Sequence, residues 1–542
     1  MGPGASMSSR RRSLLFAAAS LPLVAACKRT PESPYDGGWV GADHARGHRL
    51  RDLKSGSLPT PAATRRVNVL IVGAGVAGLA CARALARRNI DDVHLVDLED
   101  AAGGNSRGHR IAGMACPLGA HYLPVPAEAD VDLVELLASL GLSRIEHGRR
   151  VYDERHLCHS PQERLFIGGQ WQEGLLPVID QPEATLAQYR RFGEEVARVA
   201  RLGFSLPTSR APWTPSHQAL DAVTFAQWLD THRFDAPALR TYLDYCCRDD
   251  YGAGLGHVSA WAGLHYFASR HGFHAPGDDA DGDTREGVLT WPQGNGWLTE
   301  RLAEPHRERL HTGLVALGVE EGRHEVSVDL WHAAAERLER WTAKQVVLAT
   351  PLFISARLLR APPAALQAAV TPMRHAPWLV ANLHIDEPLD DAGGAPPAWD
   401  NVLHGSPALG YVNAMHQSTR PHPGPTVLTS YWALGGDNAE QLRAHRTRLL
   451  NDDWATWSRV VLADMAKAHP DLPAKVKRVD LMRYGHAMSI PLPGLRGHAA
   501  LHALQSPARP GTRVHFAHSD LSGYSVFEEA FFHGTRVGRA LG

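Results

Sequence analysis

An α/β fold is what this sequence predicts: a parallel sheet with helices packed on it, interleaved with a second domain of α+β type. Three observations carry that reading. Val67-Asn68-Val69-Leu70-Ile71-Val72 is a continuous apolar, β-branched run, the pattern of a parallel strand buried on both faces. It runs straight into Gly73-Ala74-Gly75-Val76-Ala77-Gly78, and a helix-period stretch from Leu79 to Arg88 follows. A second apolar run, Val93-His94-Leu95-Val96, then ends on an acid, Asp97. Strand, glycine turn, helix, strand and acid in this order make a Rossmann-like βαβ unit.

Each part has a physical task. Gly73 makes the tight turn, Gly75 lets backbone approach a pyrophosphate, and Gly78 permits close packing of helix on strand. The helix that opens around Ala77 offers its N-terminus to the anion. Asp97, 19 positions beyond Gly78, is placed to bind a ribose hydroxyl. Gly73, Gly75, Ala77, Gly78 and Asp97 are therefore the first candidate cofactor-binding residues.

The next residues choose the nucleotide. Ala101-Ala102-Gly103-Gly104-Asn105-Ser106-Arg107 resembles the second FAD motif of the flavin amine oxidase and desaturase superfamily. That motif is a glycine doublet, usually with an arginine directly after it beneath the FAD phosphates. Here Asn105 stands in the arginine's place and Arg107 comes two residues later. Further resemblances follow in order. Pro117-Leu118-Gly119-Ala120-His121-Tyr122 is similar to the "DLGG" turn near the flavin ring, and Trp291 to Leu298 to the "P-x-GG-x-x-L" helix entry. Leu314-Val315-Ala316-Leu317 resembles the strand whose backbone meets adenine, and Gln345 to Pro351 the "VI-x-A-x-P" strand. Val514 to Tyr524 resembles "FAGExxSGY", with His518-Ser519 where that motif has Gly-Glu.

The resemblance implies a glutathione-reductase-like FAD-binding domain of amine oxidase type and FAD as cofactor. It implies that Gly103, Gly104, Asn105, Arg107, Gly119, Val315, Asp520 and Ser522 also bind it, Asp520 replacing the missing glutamate. Arg483-Tyr484-Gly485-His486-Ala487-Met488 is similar to the "RW-x-x-A-x-P" segment that faces the flavin. Tyr484 and Tyr524 are then the expected aromatic walls, and a helix starting between Tyr524 and Glu529 should aim its N-terminal dipole at the flavin. His121 and His486 are the expected proton carriers, because a histidine titrates near neutrality. Simple packing is the alternative for both tyrosines.

The motifs divide the chain. Residues 65–125, 285–355 and 495–542 form the expected FAD-binding domain, and 126–284 with 356–494 the expected substrate domain. Amphipathic patterns over Val131–Leu137, Pro182–Leu202, Thr224–Thr231 and Ala236–Tyr245 predict helices there. The aromatic-rich stretch Tyr242 to Phe267, centred on Asp249-Asp250-Tyr251-Gly252, reads as a helical core with a tight turn, or as a substrate wall.

Residues 1–26 read as a signal peptide: basic start, short apolar core, small residues before a boundary. Arg11-Arg12-Ser13-Leu14-Leu15 resembles a twin-arginine export signal. Val24-Ala25-Ala26-Cys27 resembles a lipobox, which implies a lipidated Cys27 and attachment to a membrane; a plain cleavage site before a cysteine is the alternative. Residues 27–64, rich in Pro, Gly, Arg and Asp, are expected to be a tether. An exported, periplasmic, lipid-anchored protein is the expectation.

Composition excludes several classes. With 56 basic and 57 acidic residues the chain lacks the charge of a nucleic-acid binder. Six cysteines in 542 residues with no CxxC pair exclude a disulfide scaffold. His156/His159, His271/His274 and His515/His518 have no third ligand nearby in sequence, so no metal site is expected. Amine oxidases usually carry a lysine near flavin N5. Pro351 to Arg357 holds none, and a guanidinium that stays charged is a poor proton relay.

The expected function is an exported FAD-dependent oxidoreductase taking a hydride from a small organic molecule, for instance an amine or polyamine, onto flavin N5. Reoxidation uses O₂, a quinone or a periplasmic redox protein. A desaturase- or porphyrinogen-oxidase-like C–C or C–N dehydrogenase, or a non-catalytic FAD-stabilised binding lipoprotein, are the alternatives.

Overall fold

The computed structural model describes residues 35–52, 58–270, 272–276, 287–505 and 511–541. The expected leader with Arg11, Arg12 and Cys27 lies outside them, as does His271. Two sheets organise the chain. In the seven-stranded sheet Ala63–Val72 lies between Val93–Val96 and Arg337–Leu348, parallel to both. Leu310–His311 extends the Val93–Val96 side. Arg337–Leu348 is long enough to carry two neighbours on its other edge. Its first half pairs antiparallel with Val326–His332, which pairs in turn with Leu314–Glu321. Its second half takes Val514–Phe516 in parallel.

Helix Val76–Ala86 follows the first strand directly and is buried along almost its whole length. The C-terminal helix Phe527–Ala540 packs across it so closely that a Cβ at Gly534 would collide with the Ala77 carbonyl. Small residues on both helices (Ala80, Ala84, Gly534, Gly538) permit that approach.

The eight-stranded sheet runs in the order Asp36–Trp39, Val476–Ser489, His375–Ile385, Thr426–Ala433, Tyr411–Asn413, Asp400–Leu403, Glu163–Ile167, Gln170–Glu173. Helices Glu183–Ala200, Phe225–Thr231, Pro237–Tyr251 and Ala260–Ala268 pack together around Phe192, which meets Phe225, Trp228, Phe234, Phe267 and Phe273 edge-on or tilted. Thr224 and Gln227 close a reciprocal cap at the start of Phe225–Thr231.

Three expected boundaries are corrected. Within the tether expected at 27–64, the described residues include regular structure. Asp36–Trp39 is a parallel edge strand on Arg478–Leu481, and His44–Asp52 is a helix. Strand pairing with a distant partner overrides a glycine-rich composition there. Helix Val131–Ser139 falls in the segment expected to form the substrate domain, yet Leu133, Leu136 and Leu137 are buried in one core with Val69, Ile71 and Leu79 of the nucleotide unit. Helices Leu352–Leu358 and Ala364–Val370 likewise bury Leu358 and Leu366 against Val67, Leu70 and Val346 on the other face of that sheet. Among the described residues no helix is long and apolar enough to cross a membrane.

Candidate active site

The glycine turn builds a cradle. Gly73 has φ +103°, and a Cβ there would lie 2.6 Å from the Ala349 carbonyl oxygen. A Cβ at Gly78 would collide with the Gly73 carbonyl, so this glycine sets the helix-to-strand distance. Gly75 differs. It is the extended cap of the helix, its neighbour across the gap is Gly103, and a Cβ would meet only Gly104 Cα at 3.7 Å. The protein therefore tolerates a methyl at Gly75, and the glycine keeps space for something else.

Asp97 closes the cradle. Its Oδ2 accepts the Ala74 N–H at 2.8 Å and its Oδ1 the Glu99 N–H at 2.9 Å. Burial raises its pKa, while these bonds and Arg107 act the other way. Its carbonyl accepts the Leu314 N–H, which brings the neighbouring Val315 next to the acid. Gly103 and Gly104 both have positive φ, and the Gly103 N–H bonds to the Ala74 carbonyl.

Arg107 is buried at 7% exposure, 4.0 Å from Glu99, and its Nε–H has no partner. Asn105 turns instead to the Ala487 carbonyl at 2.6 Å. A buried guanidinium N–H without an acceptor, on a residue that lines one cavity with Gly75, Gly103, Gly104 and the start of a helix, fits a dinucleotide diphosphate.

One cavity of about 430 Å³ continues from this cradle to a chamber of a different character. The turn after Gly119 lines it with His121 and Tyr122. The His121 ring stacks on Tyr431 at 4.3 Å and lies 5.4 Å from Trp399. Tyr122 donates its hydroxyl to Asp249 at 3.2 Å. Asp249, Asp250 and Glu528 also line the cavity, with Arg270, which pairs with Asp250 at 3.0 Å. Burial and the neighbouring Asp250 push Asp249 up to about 7. Burial pushes Glu528 up to about 7 as well. Asn295 is 1% exposed and gives its amide N–H to the Tyr122 carbonyl at 2.8 Å, which leaves its Oδ1 as a buried acceptor without a partner. Among the described residues no lysine lines this cavity.

Most of the sequence-predicted residues meet here. Gly73, Gly75, Ala77, Asp97, Gly103, Gly104, Asn105, Arg107, Gly119, His121, Tyr484 and His486 all line the cavity. Tyr484 gives its hydroxyl to the Leu118 carbonyl at 2.7 Å, and burial raises its pKa to about 12. Burial lowers His121 to about 3, so it is neutral at pH 7 and is not the near-neutral titrating group expected. His486 is exposed at the mouth. Contact with its surroundings and the cations Arg446 and Arg357 lower its pKa, which corrects the same expectation there.

Five predicted residues do not line the cavity: Gly78, packed behind the turn against the Gly73 carbonyl, and four that lie elsewhere. Tyr524 is a core residue at 1% exposure, ringed by Tyr251, Trp261 and His265, with its hydroxyl on Glu529 at 3.2 Å. The residues after it, Ser525, Val526 and Phe527, line the cavity in its place. The helix begins at Phe527, so its N-terminus does open on the cavity. Ser522 is buried between Glu529 and His533. Asp520 is fully buried; it accepts the Leu352 N–H at 2.9 Å and the His375 Nε2–H at 3.1 Å. It thus anchors His375, a cavity residue, from beneath. Val315 follows Leu314, whose N–H bonds to the Asp97 carbonyl, and does not line the cavity.

The reading from sequence missed Asp249, Asp250 and Glu528 as a group, and His375 and Tyr431. The first two were visible as an acidic pair inside an aromatic helix. His375 and Tyr431 carry no local signal, since each is one residue of a buried strand.

Comparison with known proteins places this arrangement. The family model described as flavin containing amine oxidoreductase matches residues 76–541. A Mycobacterium tuberculosis protein, named as a candidate flavin-containing monoamine oxidase, AofH, is 27% identical over 190 residues, 34% of this chain. The match spans 38% of that relative's length. Wild-type putrescine oxidase bound to putrescine shares the fold with a TM-score of 0.63 at 19% identity, over 88% of this chain and 99% of that one. Cyclohexylamine oxidase from Brevibacterium oxydans IH-35A does so with a TM-score of 0.61 at 18% identity, over 88% and 98%. The chain belongs to the flavin-containing amine oxidoreductase family, with FAD as its cofactor.

Proposed function

We propose that the protein oxidises a small cationic organic molecule, an amine or polyamine, by hydride transfer to flavin N5. The observation that carries the reading is the continuity of one cavity from the dinucleotide cradle to a chamber walled by Asp249, Asp250 and Glu528. Bound FAD supplies the hydride acceptor. Gly75, Gly103 and Gly104 leave room for its diphosphate, Arg107 neutralises that charge, and Asp97 receives a ribose hydroxyl.

The chain's own work on the substrate is electrostatic and positional. An ammonium entering the chamber meets Asp249 and Glu528, whose carboxyl groups burial holds at about 7, and its charge favours their ionised form. Asp249 Oδ2 or the Glu528 carboxylate can take up the proton that an amine loses before it is oxidised, because both titrate at the working pH. Asn295 Oδ1 offers a further acceptor for a substrate N–H. Tyr431, Trp399 and the neutral His121 form an aromatic wall that excludes water and limits the substrate's orientations. Similarity to putrescine and cyclohexylamine oxidases in fold supports the amine class. The cavity's lack of lysine among the described residues favours a second reading, desaturase-like C–C or C–N dehydrogenation, and an acceptor other than O₂. Export through the Arg11-Arg12 signal and anchoring through Cys27 complete the proposal.

Anaerobic mixing with a panel of amines, diamines and apolar alkenes tests it. Bleaching of the flavin by amines supports the reading. Bleaching by alkenes alone selects the desaturase reading, and none by any compound would favour a binding protein.

A further inference from the structure

The chamber is acidic, but the rim on the His375 side of the same cavity is basic. The Phe353 ring lies 5.0 Å from His375 and 5.0 Å from His486, and both histidines line the cavity. Arg357 sits one turn beyond Phe353 on helix Leu352–Leu358. Arg374 directly precedes His375 and donates to the carbonyls of Thr371 and Met373. Arg446 reaches across from helix Ala439–Asn451 to the carbonyls of Gly485 and His375.

None of these three arginines has a carboxylate partner among the described residues. The charges acting on His486 come from Arg446, His375, Arg357 and His48, all basic. The acid beneath, Asp520, is fully buried and occupied by Leu352 and His375. Arg357, Arg374 and His486 are exposed. Surface arginines are usually interspersed with acids, whereas like charges around one opening add up to a field that draws anions to it.

We propose that this collar of Arg357, Arg374, Arg446 and His486 is the docking surface for an acidic redox protein that reoxidises the flavin. The inference rests on the dehydrogenase reading above and names its partner by charge and redox class. The balance is two carriers per turnover: the reduced flavin gives up two electrons, two ferric centres become ferrous, and the protons pass to water. The arginines steer and hold the partner and do not touch the substrate. Their contribution is therefore to association, and it is screened by salt.

Cytochrome c and its succinylated form test this, because they carry one haem with opposite surface charge. The holoenzyme flavin is reduced photochemically, so no amine is required. At low salt the succinylated form should reoxidise it about tenfold faster than the native form or more. The gap should close at about 1 M salt, where the screening length is about 3 Å. Calorimetry should detect binding of succinylated cytochrome c to the oxidised holoenzyme. Arg357→Glu with Arg374→Glu should abolish both effects, and the double glutamine variant should fall between. Equal rates for the two cytochromes overturn the proposal. So does an unchanged preference in the charge-reversed protein with its flavin spectrum intact. Binding to phosphatidylglycerol vesicles in place of the acidic cytochrome would also overturn it and reassign the collar to a membrane. A chain that holds no photoreducible flavin would instead defeat the reading on which the proposal rests.

Discussion

Tyr122 and Asp249 join the two halves of the active cavity: a phenol on the turn beside the nucleotide cradle donates at 3.2 Å to a carboxyl on helix Pro237–Tyr251. The acid is thereby fixed in the cavity wall, and the rise in its pKa is opposed by this bond and by Arg270 and Arg248.

Asp249→Asn should raise KM for a diamine about tenfold or more, since about 1.4 kcal/mol is tenfold in binding. A neutral substrate should be much less affected. Steady-state kinetics on the two substrate types checks this, and equal effects on both would remove Asp249 from substrate binding.

Glu528 gives a stability prediction with a definite sign. Its folded pKa, about 7, lies above the unfolded value of 4.5. The native state therefore holds a proton that the unfolded state has released, and the associated stability is present below about pH 4.5 and lost as pH rises to about 7. Glu528→Gln should flatten that decline. Thermal melts across pH 4 to 8 measure it, and parallel curves for the two proteins would contradict the buried, neutral carboxyl.

Gly75→Ala and Gly78→Ala should fail in different ways. At Gly75 the methyl has ordinary contacts, so the fold survives while flavin absorbance is lost. At Gly78 the methyl strikes the Gly73 carbonyl, so the melting temperature falls, with about 1–3 kcal/mol or more of overpacking. Flavin content measured beside thermal stability separates them.

Tyr524→Phe removes one hydrogen bond to Glu529 and should cost about 1 kcal/mol of stability without altering turnover. Tyr524→Ala should cost about 3–5 kcal/mol. A large loss of kcat in a well-folded phenylalanine variant would return this tyrosine to the active site.

His121, lowered to about 3, should leave no ionisation in the pH–rate profile between pH 5 and 9. His121→Asn should change the rate while preserving the profile's shape. Disappearance of a limb near neutrality would mean that the histidine titrates there after all.

The nucleotide cradle was legible because it is made of local rules. A βαβ turn needs glycines at fixed offsets, and those offsets can be read along the chain. Tyr524 was misplaced because a motif orders residues along the chain without saying which side of the backbone a ring takes. Here three residues separate the tyrosine from Glu528, and the ring goes into the helical core. Asp249 and Asp250 were seen but could not be assigned, since an acidic pair on a helix looks the same facing solvent or facing a cavity. Asp36–Trp39 carried no strand signal at all; its only reason to be extended is a partner far along the chain.

That distance has a consequence for how the molecule comes into being. Ala42 gives its N–H to Met482 across 440 positions of sequence, and Val514–Phe516 pairs with Val346–Leu348, made much earlier in the chain. Asp36–Trp39 has nothing to pair with until a ribosome has made Arg478–Leu481. Any machinery that moved the chain before that segment emerged would be moving an incomplete sheet.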